Sequence, residues 1–138
     1  VIGYASIENK GLPFSLPFMI IPIVLHKPTR EALPRNITTS LTAWLEENQN
    51  AKILYSKRVT SLLPYVREAI LFGASHNWLK FENGGVITTS KTASDIKKFI
   101  DRATDEVKEC IRRSNFVGRW FANAGSVETI MALWGVCP

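Results

Sequence analysis

Cysteine and histidine are scarce: Cys110, Cys137, His26 and His76 are the full set in 138 residues. Two cysteines make no disulfide framework, and a reduced intracellular protein is the simpler reading. These four residues offer no metal-ligand spacing, so neither metal nor cofactor is expected. Nucleophile and phosphate motifs are missing too: no G-x-S-x-G, P-loop, G-x-G-x-x-G or H-E-x-x-H is present. No catalytic residue is therefore assigned, and an enzyme is not expected. Long apolar runs are also lacking. The uncharged run Leu12–Leu25 is too short for a bilayer, which takes about 20 residues. Three prolines interrupt it, and no basic n-region or small-residue cleavage site marks a signal peptide. No membrane partner is expected. Nor does charge gather in a tail: residues 1–69 hold eight basic and five acidic side chains, residues 70–138 nine and seven.

What remains is an ordinary soluble composition, 46% hydrophobic and 21% charged, with a net charge of +5. Its length fits one compact domain, 1–138, and burial of roughly two-thirds of the unfolded surface. The chain starts at Val1 and not Met, which fits a processed, trimmed or incomplete N-terminus.

Gly11–Pro17 reads as a turn entering a helix, with Ser15 as cap and Pro17 in the first turn. The run "FMIIPIVL" is apolar on every side, so the helix either threads the centre or needs a partner to cover it. "HKPTREALP" breaks it at Lys27–Pro28, Thr29 capping a short turn closed by Pro34. A second helix starts near Thr39 or Ser40, with Leu41, Trp44 and Leu45 inward, and fades at 48–50. From Ala51 to Ser75 the pattern is helical again, and Pro64 divides it. Ile53, Leu54, Leu62 and Leu63 should face inward before the break; Val66, Ala69, Ile70 and Gly73 after it.

Trp78–Phe81 and Val86–Thr89, joined by "ENGG", make a hairpin. Ser94 should cap a long helix to about Arg113, its stripe running through Ile96, Phe99, Ile100, Ala103, Val107, Cys110 and Ile111. Two short helices close the chain, Gly125 ending the first, Ser126 and Gly135 bounding the second. The fold class is mainly α with one β-hairpin, a winged-helix-like single domain.

His26 and His76 each end a helix and suit its carbonyl end. Asp101 and Asp105 fit a solvated ion-pair face, and Cys110 fits the core. Lys57, Arg58, Lys80, Lys91, Lys97 and Lys98 surround the expected wing and are candidates for phosphate-backbone contact. The presumed recognition helix, 64–76, has Arg67 as its only basic side chain apart from His76, so base reading is a weak expectation. Aromatics beside Arg, as in Arg119–Trp120–Phe121, suit interface anchors.

Three stretches carry a resemblance: "GLPFSLPFMIIPIVLHKPTREALP", "REAILFGASHNWL" before a Gly-rich hairpin, and "GRWFANAGSVETIMALWGVCP". Over about residues 11–138 the chain resembles the small middle component of bacterial three-component ABC-ATPase (ABC-3C) conflict systems, the group that includes Lamassu-type defence. Cys137 stands where an Arg is common. The resemblance implies a cytoplasmic, non-enzymatic adaptor in a hetero-oligomeric complex. Its partners would be an SMC-like ABC ATPase and a nuclease-like effector, with non-specific DNA contact as an addition. Contacts would come from Ile20, Pro22, His26, Lys27, Arg30, Glu31, Arg119, Trp120 and Phe121. The alternative is a free-standing winged-helix DNA-binding regulator.

Overall fold

A computed structural model describes residues 1–136; Cys137, singled out above, lies outside the described residues. The chain runs α1 (Ile2–Glu8), β1 (Leu12–Pro13), α2 (Leu16–Leu25), α3 (Lys27–Ala32), α4 (Leu41–Glu47), a short 3-10 turn (Gln49–Lys52) and α5 (Tyr55–Ser75). Then come β2 (Lys80–Glu82), β3 (Val86–Thr88), α6 (Ala93–Arg102), α7 (Asp105–Ala122) and α8 (Val127–Trp134). The fold is mainly helical, as the sequence suggests, with a small antiparallel sheet.

The apolar helix α2 threads the centre. Leu16, Met19, Ile20, Pro22, Ile23 and Val24 are all buried, packed mainly by α5 and α7. An all-round apolar helix has no solvent face to offer, and here the chain's own helices supply most of the cover. Pro22 sits inside α2 without ending it. Around α2 lies an aromatic core. Trp44 meets Trp120 edge to face at 5.4 Å, and Tyr55 lies 4.5 Å from Trp134. Their polar atoms find backbone acceptors: Trp44 Nε1 donates to Ala32 O, Trp120 Nε1 to Thr39 O and Tyr55 Oη to Met19 O. Burial pushes the Tyr55 phenol well above its ordinary value, against a smaller opposing effect of Arg58.

Several expectations fail, each for a physical reason. Pro64 does not divide α5, which runs unbroken for 21 residues. Buried Tyr55 anchors its start and Val66, Ile70 and Gly73 its second half, so packing on both sides of the proline outweighs one lost hydrogen bond. Ile53 and Leu54 point to solvent, not inward. They form the bend before α5, where Leu54 takes a left-handed φ of 56° and Arg58 locks the turn by donating to Ile53 O and Ala51 O. Ala69 is exposed as well. Thr29 lies within α3, its hydroxyl bonded to His26, and caps nothing.

The long helix expected from Ser94 is two. Thr92 caps α6 in a reciprocal box with Asp95, whose carboxyl is held low by the Thr92 backbone and hydroxyl hydrogen bonds. α6 ends at Ala103, and Thr104 caps α7, which runs on through Phe116 and Trp120. A favourable Thr cap at 104 resets the chain within a sequence whose apolar period continues. The segment read as a separate helix before Gly125 is the end of α7. Ser40, Ser126 and Gly135 act as expected.

The hairpin turns through Gly84 and Gly85, both at positive φ, with Phe81 opposite Ile87. A third strand was not expected: Leu12 pairs with Ile87 and Pro13 with Val86, giving the order β1-β3-β2. This connectivity is compatible with a winged helix. Helix α1, also unread in the sequence, crosses α7 closely, since a methyl at Gly3 would run into the Asn115 carbonyl.

Candidate functional site

The residues expected to meet partners divide into core and surface. Ile20, Pro22, Trp120 and Phe121 are buried in the chain's own core, Trp120 to 1% exposure. In this fold they hold elements together and present no anchor; only Arg119 of that group faces outward. The knot at 26–31 is equally a fastening. Arg30 is buried, and its guanidinium donates to Val24 O at 2.8 Å, to Glu106 Oε1 at 3.1 Å and to Cys110 Sγ at 3.3 Å. It ties the α2–α3 corner to α7. His26 bonds Thr29 Oγ1 at 2.7 Å, and burial, then nearby Arg58, hold its pKa below the ordinary value. Lys27 and Glu31 form an exposed pair at 3.9 Å.

The six basic candidates do not make one patch. Lys57 and Arg58 lie in the first turn of α5, whereas Lys91 lines a groove with Phe72 and Gly73 near its other end, some four turns or about 20 Å along the helix. Arg58 is occupied by its two backbone carbonyls, so it is not free for phosphate. Lys80 is exposed on strand β2, and Lys97 and Lys98 on α6. Lys91 sits over the Trp78 ring, 5.7 Å from its centroid.

That last contact marks the site the sequence reading missed. Between α1, α5, the hairpin, α6 and α7 lies an open apolar groove of about 780 Å³. Phe72, Trp78, Leu79, Ile96, Phe99 and Ile111 form its walls. Phe72 is 65% exposed and Phe99 60%. Trp78 meets Phe99 edge to face at 5.1 Å, and Phe72 stacks on His76 at 4.0 Å. His76 closes the helix as expected, its ring nitrogen 2.9 Å from Phe72 O. α6, the outer wall, contains no buried residue. Leu71 and Tyr65 extend the exposed apolar face along α5. The signal was present: Leu71 and Phe72 fall off the buried spacing Val66, Ile70, Gly73.

The groove is largely apolar, with Lys91 and His76 as the titratable side chains of its lining. Among the described residues no three His, Cys, Asp or Glu side chains could hold a metal, and no helix is long and apolar enough to cross a membrane.

Compared with known protein families, residues 1–138 match the ABC-three component (ABC-3C) system Middle Component 3. The chain belongs to this family. No curated protein and no solved structure matches it. A Middle Component 3 protein is, by the family's name, one component of a three-component system.

Proposed function

We propose that this Middle Component 3 protein is a non-enzymatic adaptor, bridging an SMC-like ABC ATPase and a nuclease-like effector in a cytoplasmic antiphage or antiplasmid complex of the Lamassu type. The observation that carries the reading is the open groove at Phe72, Trp78 and Phe99 in a chain whose main core is otherwise closed. Monomers seldom leave contiguous apolar surface without a binding role. The exposed Arg119, Lys27 and Glu31 add polar surface suited to an interface rim. Co-expression with the ABC ATPase and effector encoded beside it tests the proposal. A stable complex through gel filtration is expected; a monomer that ignores both would overturn it.

A second reading, a winged-helix DNA-binding regulator, is favoured by the strand order β1-β3-β2. The outer face of α5 weighs against it, because Tyr65, Leu71 and Phe72 stand where groove-reading donors would be needed. Sequence-selective binding by the isolated chain at moderate salt would favour the regulator. Weak, steeply salt-dependent binding would mean only backbone contact by lysines such as Lys57, Lys80, Lys97 and Lys98.

A further inference from the structure

We infer that the groove between α5, α6 and α7 takes an acidic amphipathic helix of a partner protein. The inference rests on the adaptor reading and names the kind of segment that docks.

Shape and apolar lining come first. A cleft of about 780 Å³ walled on three sides by helices, with Leu79, Ile96 and Ile111 in its lining, matches an apolar helix face laid between helices. Phe72 on α5 and Phe99 on α6 both line the cleft and both remain mostly exposed.

Charge comes second. Among the described lining residues there is no carboxylate, while Lys91 and His76 are both present. Lys97 and Lys98 are exposed on α6 but outside the lining, since they fall off the face that Ile96 and Phe99 share. Asp95, on the same helix, is occupied by the backbone and hydroxyl of Thr92. Glu68 lies outside the lining, one turn before Phe72. Carboxylates flanking the apolar stripe of the incoming helix would meet Lys91.

The same lysines and aromatics could suggest single-stranded nucleic acid, which binds through bases stacked on ring faces. The rings here are engaged otherwise. Phe72 already stacks on His76, Lys91 covers Trp78, and Trp78 and Phe99 are locked edge to face. The rest of the lining mixes aliphatic Leu79, Ile96 and Ile111 with polar Thr89, Ser114 and Asn115. That is a protein-binding surface.

The test uses the full chain co-expressed with its encoded ATPase and effector. A photoreactive phenylalanine analogue replaces Phe72 or Phe99, with exposed Thr42 as the control position. Cross-links from 72 and 99, but not 42, to one segment with apolar residues at i, i+3, i+4 and flanking Asp or Glu are expected. Phe72→Glu and Lys91→Glu should each weaken assembly, Phe72→Glu by on the order of thirtyfold as an interface anchor. Both positions are surface-accessible, and unchanged circular dichroism melts would show that the variants fold. If the complex forms but positions 72 and 99 cross-link to nothing, to DNA or to a second copy, the groove assignment is wrong and the adaptor reading survives. Unchanged assembly of both variants has the same meaning. If the wild-type chain forms no complex, the adaptor reading itself fails, and this inference with it.

Discussion

Two aromatic clusters on the same chain have opposite fates. Trp44, Trp120, Trp134 and Tyr55 are sealed around α2, while Trp78, Phe99 and Phe72 line an open groove under α6. Residue type does not separate them. The first cluster is closed by long-range packing: α2 against α5 and α7, with Arg30 stitching α2–α3 to α7. The second lies in an open groove, one wall of which is a ten-residue helix that buries nothing of its own. An aromatic side chain becomes core where packed elements close over it, and stays available where they leave a groove open.

The comparison can be broken most sharply at Trp120. Trp120→Ala should cost about 3–5 kcal/mol, read from urea unfolding, because it removes a fully buried ring and strands Thr39 O. Phe99→Ala should cost about 0.5 kcal/mol or less by the same method, since the ring is mostly exposed. Equal effects would mean that the groove is part of the core.

Next in size is Arg30. Arg30→Ala should destabilise by about 2–4 kcal/mol, through lost packing and an unsatisfied Val24 carbonyl in a buried site. Removing Glu106, the exposed partner of that pair, should cost far less, about 1 kcal/mol or less. A double-mutant cycle would separate the two contributions.

A smaller effect tests strain. Leu54 is exposed at positive φ, so Leu54→Gly should be neutral or stabilise by up to about 1 kcal/mol in thermal melts. A clear loss would mean that the side chain has a contact in the folded chain.

The smallest concerns acid. Hydrogen bonds from Arg112, then Arg113, hold the Glu109 carboxyl below its ordinary range. A carboxylate lowered in the fold adds stability above its unfolded pKa and loses it as pH falls through the folded value. Glu109 is partly exposed, so solvent screening keeps the effect small. Glu109→Gln should lower stability slightly at pH 7 and by progressively less as pH falls below about 4.5, so that the acid limb of the profile flattens.

Much of this was legible in the sequence. Hydrophobic period and caps placed α4, α8 and the hairpin, and the three quoted stretches pointed to the family. The third strand was not legible, because Leu12–Pro13 is two residues long and pairs with Ile87 some 75 positions away. The split at Ala103–Thr104 hid inside an apolar period that carries on past it. Apolarity alone drew attention to α2 and to Trp120–Phe121, which the fold buries, whereas burial is decided by what converges on a residue. Leu71 and Phe72, apolar yet out of step with their helix's buried spacing, were the better clue.

The central claim is that the fold closes its main core around α2 and leaves the apolar groove beside α6 open to a partner. Hydrogen exchange on the chain, alone and bound to its ABC ATPase and effector, tests it most directly. Alone, α6 should exchange fast while α2 and α7 stay protected. In the complex, new protection should appear at residues 69–79 and 93–102. Protection confined to other surfaces, or an α6 already as slow as α2 in the free chain, would contradict the account.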